Sequence, residues 1–265
     1  MIGIALAGLG AALLLMSAVW LGSLRYQDAS LVDRFWGFGF IVVVLVYQAL
    51  LGFPGYGWLV VVLVTLWGAR LSLHLTWRNW GHGEDARYRA MREAGGPQWP
   101  QQSLFTVFWL QGLILWIIAA PLFHAIAFGS LEAWLSPWAM LGIAVFFIGF
   151  LYETVADTQL LMFKSDPDNR GRVFDQGLWR FSRHPNYFGE ILVWWGLWGL
   201  AVAAGGWWTV FAPLLVTGLL ARVSGVPLLE KRMRETRPEY AEYAARTNAL
   251  IPGPKKHPAG GGDAS

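Results

Sequence analysis

The chain contains no cysteine and little charge, since only 14% of its 265 residues are charged and 55% are apolar. Without cysteine there can be no disulfide, thiolate nucleophile or cysteine-ligated metal centre. A soluble domain carries about 25% charged residues, so the composition argues against a water-soluble fold and equally against disorder. The net charge is only +3, and no basic cluster of the nucleic-acid-binding type precedes the C-terminal tail. We therefore expect no nucleic-acid partner and no obligate protein partner.

Seven apolar stretches are each long enough to cross a bilayer, which takes roughly 17–25 helical residues. They are Ile2–Leu24, Trp36–Phe53, Gly57–Trp77, Leu104–Phe128, Trp138–Phe163, Tyr187–Ala204 and Trp207–Ala221. The first has neither a basic flank nor an obvious small-residue cleavage site, so we expect a retained helix and not a signal peptide. The sequence thus predicts an all-α, polytopic membrane protein with seven transmembrane helices. A single domain would cover residues 1–253, and a disordered tail residues 254–265.

The basic residues predict the orientation of these helices. Nineteen of the 20 lysines and arginines lie in segments 25–35, 78–103 and 164–186 or in the tail from Arg222, and the other is Arg70. The alternate connections 54–56, 129–137 and 205–206 carry none. By the positive-inside rule, the N-terminus is outside and the C-terminus cytoplasmic. We expect a bacterial inner membrane, with any large ligand site on the cytoplasmic side, where the long loops lie.

Ionisable residues recur at helical spacing inside three of the predicted spans, where each costs a few kcal/mol unless it faces a cavity or a partner. The three stripes are Arg70, His74 and Arg78; Glu153, Asp157 and Lys164; and Asn186, Glu190 and Trp194. Because residues four apart share a helix face, we expect these stripes to surround one polar pocket. The alternative is that they pair with one another, for instance Arg70 with Glu153, and only join helices.

The loop before the sixth span predicts an anion site. Pro185 suits a first helical turn, so the free N–H groups there would lie beside Arg180, Arg183 and His184. Phosphate is the expected anion, and a lipid headgroup is the alternative. The carboxylates of the second stripe suit hydroxyl and amine donors, so basic loop and buried acids together favour a nucleotide.

Two polar residues lie in the otherwise apolar second span. Tyr47 can donate a proton or a hydrogen bond to a substrate carbonyl in a low-dielectric pocket, and Gln48 follows it directly. The alternative for Tyr47 is a packing role. The five histidines lie far apart without ligand spacing, so we expect no metal.

Two motifs resemble the steroid 5-alpha-reductase family, most closely its bacterial membrane branch. They are the run from Gly177 to Glu190, GLWRFSRHPNYFGE, and Tyr240-Ala-Glu-Tyr243 ahead of Ile251-Pro252. The likeness covers residues 150–252 well and 33–100 more weakly. It implies a seven-helix membrane reductase that uses NADPH to reduce the C=C bond of an enone. The implied substrate is a 3-oxo-4-ene steroid or a similar hydrophobic lipid, with hydride delivered to the beta carbon.

The same resemblance implies site residues. The cofactor positions are Glu153, Asp157, Lys164, Arg172, Asn186, Trp194, Tyr240 and Tyr243. To these we add the stripe and loop residues Arg78, Arg170, Arg183 and His184. Glu190 would line the nicotinamide and substrate side, and with Tyr47 and Gln48 it forms the predicted catalytic set.

One departure from the family concerns the donor to the enone oxygen. The eukaryotic enzymes carry a Gln-Glu pair in the second helix, whereas Gln48 is followed here by Ala49. They carry a tyrosine in the third helix, near the place that Trp67 occupies. Tyr47 or His74 is then the candidate donor.

Two other functions compete with the reductase. The methyltransferases of the isoprenylcysteine carboxyl type share an Arg-His-Pro-x-Tyr-x-Gly run, found here at 183–189, and a late Glu and Tyr, matched by Glu230 and Tyr240. Their cofactor, S-adenosylmethionine, has no phosphate, so Lys164 and Arg172 would be surplus. A non-enzymatic receptor or transporter is disfavoured, because the polar groups lie towards the predicted cytoplasmic ends and not at the midplane.

Overall fold

The protein is represented by a computed structural model that describes residues 1–223 and 225–256, so the predicted tail beyond residue 256 lies outside the described residues. The described residues are helical and contain no β-strand, only an isolated bridge between Ser182 and Asn248. The α-helices are α1 (Ile2–Tyr26), α2 (Leu31–Arg34), α3 (Trp36–Leu50), α4 (Trp58–Arg78), α5 (Ala86–Gly95), α6 (Trp99–Ser103), α7 (Leu110–Ile118), α8 (Ala120–Phe128), α9 (Leu131–Trp134), α10 (Pro137–Ser165), α11 (Pro185–Ala203), α12 (Phe211–Gly218), α13 (Val226–Thr236) and α14 (Tyr240–Arg246).

Five helical segments of the described chain are long and apolar enough to cross a membrane. They are Ile2–Tyr26, Gly55–Arg78, Ala86–Ile118, Pro137–Ser165 and Trp207–Thr236. The predicted second span is the apolar α3, whose 15 residues extend only about 22 Å at 1.5 Å per residue. The predicted sixth span is α11, which has 19 residues and three tryptophans. The all-helical class and the membrane character are confirmed, whereas seven crossings and their orientation stay predictions.

Two of the predicted spans are interrupted helices. In the fourth, residues Leu104–Trp109 are π-helical, α7 ends at Ile118 and α8 restarts with Pro121 in its first turn. A proline lacks the N–H that would continue the preceding hydrogen-bond ladder, which explains the restart. In the seventh, the 3₁₀ turn Trp207–Val210 precedes α12. The basic segment 78–103, expected as a loop, contains α5, whose first turn is capped by the Asp85 carboxylate.

The chain divides into two compact units. The first unit comprises residues 1–140 and 197–212. In it α3 and α4 touch through glycine: a Cβ on Gly37 would lie 2.4 Å from the carbonyl oxygen of Gly68. This close approach buries Phe40 against Trp67, with ring centroids 5.8 Å apart. Any larger residue at either glycine would force the two backbones apart.

Ion pairs fix the polar segments of the first unit. The buried Glu84 carboxylate accepts the Ala29 N–H at 3.0 Å and the Arg92 guanidinium at 2.7 Å. Asp33 accepts a hydrogen bond from the Tyr88 hydroxyl at 2.8 Å and pairs with Arg87 at 3.3 Å. Burial raises the pKa of Asp33 above its ordinary value, although Arg87 opposes the shift. These contacts hold the segment after α1 to the segment after α4.

The second unit comprises residues 141–196 and the described residues from 213 onward. Its helices α10 and α11 pack through three glycines. A Cβ would lie 2.6 Å from the Gly189 carbonyl oxygen if placed on Gly149, 2.5 Å from the Glu153 backbone nitrogen on Gly189, and 2.4 Å from the Phe146 nitrogen on Gly196. The backbones are therefore in direct contact along the two helices, which brings the polar stripes of α10 and α11 face to face.

Candidate functional site

The glycine-packed helices bring buried acids of α10 next to the start of α11. The Asn186 side-chain amide donates to the Asp157 carboxylate at 3.1 Å. Asp157 is 6% exposed, and Glu153, one turn earlier on α10, is 2% exposed. A buried carboxylate is stable only with polar partners, so this helix pair is a polar cluster inside an apolar bundle. We call Glu153, Asp157 and Asn186 the acid–amide cluster.

The Arg-His-Pro motif that precedes α11 is held by internal bonds. The Nε and Nη2 of Arg183 both lie 2.7 Å from Glu230 Oε1. Its Nη1 donates to the carbonyl oxygens of Ala244 at 2.9 Å and Thr247 at 2.6 Å. All three guanidinium nitrogens are thus engaged, so Arg183 organises this region from within. His184 Nε2 lies 3.4 Å from the same Glu230 oxygen.

The segment after α14 attaches to this motif. The Arg183 backbone N–H donates to the Asn248 carbonyl at 2.8 Å, and the Ser182 hydroxyl donates to the Leu250 carbonyl at 2.8 Å. The Tyr243 hydroxyl donates to the Trp179 carbonyl at 2.7 Å. The two motifs that carry the family resemblance, more than 50 residues apart in the sequence, are therefore one structural element.

A cavity of about 360 Å³ opens beside this element in the second unit. It is lined by Phe163, Asn169, Arg172, Val173, Phe174, Asp175, Gln176, Glu239, Glu242, Tyr243 and Arg246. Phe163 and Phe174 stack with centroids 4.7 Å apart and supply an aromatic wall. The lining thus combines a planar apolar surface with charges of both signs.

Arg246 is the most constrained charge of this cavity. It pairs with Asp175 at 2.8 Å and with Glu242 at 2.9 Å. Its buried Nε has no hydrogen-bond partner within the described chain. An unsatisfied buried donor beside a cavity suits a ligand that carries acceptor oxygens. Arg172 is a second, exposed cation of the lining.

The tyrosines of α14 remain protonated over the physiological range. Burial raises the pKa of Tyr240 to about 12, with Glu230 adding to the shift. Burial likewise raises the pKa of Tyr243 above its ordinary value. Both hydroxyls are neutral hydrogen-bond donors at neutral pH.

The other predicted cofactor and catalytic residues occupy varied positions. On α11, Glu190 is half-buried one turn after Asn186, and Trp194 is buried two turns after it. Lys164 and Arg170 are exposed at the end of α10 and in the loop after it. Arg78 is exposed at the end of α4, where its Nε donates to the Asn79 side chain at 3.3 Å.

The two second-span candidates, Tyr47 and Gln48, lie in the core of the first unit. The Tyr47 ring packs edge-to-face on Phe123 with centroids 4.9 Å apart, and its hydroxyl lies over Gly8. The Gln48 amide donates to the Pro54 carbonyl at 2.9 Å, while its buried Oε1 has no hydrogen-bond partner among the described residues. Tyr47 therefore has the contacts of a packing residue, and Gln48 Oε1 retains a free acceptor site.

The sequence did not predict several residues of the cavity as ligand-binding positions. They are Phe163, Phe174, Asp175, Glu239, Glu242 and Arg246. Glu242 and Arg246 stand four apart on one helix, a spacing that indicates an ion pair. The pairing of Arg246 with Asp175, 71 residues away, has no sequence signal.

The fold and the buried polar cluster define an integral membrane protein of the all-helical class. A family profile described as "Protein of unknown function (DUF1295)" matches residues 19–247, and the chain belongs to that family. The family is related to steroid 5-alpha-reductase-like membrane proteins.

Two relatives accompany this family match. An uncharacterized protein of Schizosaccharomyces pombe is 28% identical over 279 residues, covering 92% of this chain and 78% of that protein. The protein named "Probable O-methyltransferase ustE" of Ustilaginoidea virens is 35% identical over 75 residues, covering 28% of this chain and 25% of that protein. No solved structure matches the chain.

Proposed function

We propose that the protein is an NADPH-dependent membrane reductase of the C=C bond of a hydrophobic enone, such as a 3-oxo-4-ene steroid. The observation that carries the proposal is the acid–amide cluster on the glycine-packed helices α10 and α11, in the same unit as the cavity. We further propose seven crossings, an outside N-terminus and a bacterial inner membrane with the cofactor on the cytoplasmic side, because the basic residues segregate that way.

The acidic and the basic residues of the candidate site suit different parts of the proposed cofactor. Buried carboxylates accept hydrogen bonds from hydroxyl and amine groups, which ribose, adenine and carboxamide offer. Exposed cations at Lys164, Arg170 and Arg172 suit phosphate oxygens. When bound, NADPH would supply a hydride to the beta carbon of the enone. The half-buried Glu190 would lie on the substrate side of the acid–amide cluster, as the family resemblance implies.

The protein must also polarise the enone oxygen. Gln48 is engaged through its amide and Tyr47 through its ring, both in the first unit. A hydroxyl donor in an apolar bundle stabilises a developing enolate more strongly than it would in water. Tyr47 or His74 remains the proposed donor.

Deuteride transfer tests the reaction. Purified protein in detergent is supplied with NADPH deuterated at the reactive carbon and a 3-oxo-4-ene steroid, and the product is analysed by mass spectrometry. One deuterium at the beta carbon is expected, and Glu190→Gln should lower its yield. A panel of enones that shows no deuterium incorporation with folded wild-type protein would refute the reductase.

The second candidate is an S-adenosylmethionine-dependent methyltransferase. Two observations favour it: the partial relative carries a methyltransferase name, and the cavity lining holds three acids against two arginines. An acidic lining suits a cofactor that carries positive charge and no phosphate. The reductase is preferred because a cofactor without phosphate would leave the exposed cations Lys164, Arg170 and Arg172 without a role in binding. Transfer of a labelled methyl group from S-adenosylmethionine to the carboxylate of an S-isoprenylated cysteine, with release of S-adenosylhomocysteine, would support the second candidate instead.

A further inference from the structure

The helix α13 is too polar to lie in the hydrocarbon. The candidate span Trp207–Thr236 has 30 residues, whereas the hydrocarbon core takes roughly 20. Its last 11 residues are α13, and five of these are charged, namely Glu230, Lys231, Arg232, Arg234 and Glu235. A charged side chain costs a few kcal/mol in the hydrocarbon, so α13 lies at the membrane surface.

One face of α13 is fixed by the protein. Glu230, at the centre of this face, binds Arg183 at 2.7 Å and lies 3.4 Å from His184. Met233 and Arg237, one and two turns later on the same face, are half-buried. The orientation of the helix about its axis is therefore set by the Arg-His-Pro motif.

The other face exposes apolar and basic side chains together. Leu228 and Leu229 are 44% and 43% exposed, and Val223, just before the helix, is 60% exposed. Arg232 is exposed and lies four and three residues after the two leucines, hence on their face. Leucines exposed beside arginine are typical of a helix that lies in a lipid interface.

The charge of this face selects the kind of lipid. Lys231 and Arg232 are exposed, whereas Arg234 pairs with Glu230 Oε2 at 3.6 Å. The helix carries three basic residues against two acids, the exposed Glu235 and Glu230, and Glu230 is also bound by Arg183. Long basic side chains extend past the leucines to reach headgroup oxygens. Basic residues beside a membrane-spanning segment favour anionic lipids, each by about fivefold in partitioning.

We propose that α13 is a docking helix for anionic phospholipid headgroups, with Leu228 and Leu229 inserted at the acyl boundary and Lys231 and Arg232 bound to the headgroups. The inference requires only that the chain spans a membrane, so it stands independently of the cofactor. Because α13 also holds Glu230, the lipid-bound helix would keep the Arg183 ion pair in place.

The absence of cysteine allows a direct test. A spin label is attached to Leu229→Cys in the full chain, reconstituted in nanodiscs of pure phosphatidylcholine or of phosphatidylcholine with about one third phosphatidylglycerol. Accessibility to oxygen and to a water-soluble nickel chelate gives the depth of the label. Asp168→Cys, an exposed residue of the 164–186 loop, is the control site.

The proposal expects the label at Leu229 to be oxygen-accessible and protected from nickel in the anionic discs. Protection should fall at least severalfold in neutral discs, and the variant Lys231→Gln, Arg232→Gln should lose the dependence on composition. If that variant does not fold, Arg232→Gln alone and about 0.5 M salt should each reduce the protection. A Leu229 label that is equally exposed to water in both discs, or equally protected in lipid-free micelles, would overturn the proposal.

Discussion

Buried charges serve different purposes in the two units of the chain. In the first unit the buried Glu84 joins two segments, because its carboxylate is bound by Arg92 and by the Ala29 N–H. In the second unit the ion pair of Arg183 with Glu230 organises a motif that leads into the acid–amide cluster. A buried pair that links segments contributes to stability alone, whereas one that supports a site should also affect ligand binding. Matched substitutions in the two units separate these roles.

The largest expected effect concerns two paired glutamates, the half-buried Glu230 and the buried Glu84. Glu230→Ala leaves the Arg183 guanidinium buried without its carboxylate, which should cost about 3–5 kcal/mol of unfolding free energy. Glu84→Ala should also destabilise the protein, because Arg92 and the Ala29 N–H lose their acceptor. Only Glu230→Ala should weaken NADPH binding as well. Thermal unfolding and nucleotide titration measure both quantities.

The control for these two variants lies on the same helix as Glu230. Glu235→Ala, an exposed acid on α13, should change neither quantity measurably. Equal loss of nucleotide affinity in the Glu84 and Glu230 variants would show that global destabilisation, and not the motif, controls binding.

The next largest effect is expected for Arg172→Ala, which should alter NADPH binding but not stability. It is exposed on the cavity, so Arg172→Ala should leave thermal stability unchanged. Loss of a charge-assisted hydrogen bond should weaken NADPH binding by about 1.5–3 kcal/mol. Arg89→Ala, which alters a basic residue of the first unit, is the control. Fluorescence titration measures the affinities, and an unchanged value for Arg172→Ala would contradict a phosphate contact at this residue.

The glycine contacts allow a third comparison. Alanine at Gly68 or at Gly189 would place a Cβ 2.5 Å from a backbone atom of the opposite helix, and overpacking of this kind costs about 1–3 kcal/mol. Both variants should unfold at lower temperature. Gly189→Ala should in addition lower NADPH affinity, because it separates α11 from Glu153. Gly10→Ala, with open space around its Cβ position, is the neutral control.

The smallest effect is the pH dependence of Asp33 in the first unit. Its pKa is raised in the folded protein, chiefly by burial. A raised folded pKa means that the stability from this group is present at low pH and lost as the pH rises through that pKa. Asp33→Asn should therefore flatten the fall in stability that begins as the pH rises above the ordinary aspartate pKa of about 4. Thermal unfolding across this range measures it, and an identical slope in Asp168→Asn and Asp33→Asn would contradict the assignment.

The long helices could be predicted because the length of an apolar run is read directly from consecutive residues of the sequence. The spans at Ile2–Leu24 and Trp138–Phe163 agree with α1 and α10 to within two residues at each end. The break at Ala119 was missed, although Pro121 marks it, because the apolar run continues across the proline. The helix α5 was missed because its sequence is polar and it is capped by a single side chain, Asp85.

The site was predictable only where its residues follow helical spacing. The i, i+4 spacing on α10 and at the start of α11 predicted that Asp157 and Asn186 lie in one region, and they are hydrogen-bonded. The engagement of Arg183 by Glu230 depends on residues 47 positions apart, and the cavity on segments more than 60 apart, so neither follows from local pattern. Whether the stripe of Arg70 and His74 joins this region stays a prediction.

The central claim is that the acid–amide cluster and the cavity beside Arg172 bind a phosphorylated dinucleotide. The most direct measurement is the thermal unfolding of purified protein with NADPH, with S-adenosylmethionine and with neither, since a ligand at about 100 times its Kd stabilises by roughly 2.7 kcal/mol. The account predicts stabilisation by NADPH alone, reduced in Asp157→Asn. Stabilisation by S-adenosylmethionine with no response to NADPH would contradict it.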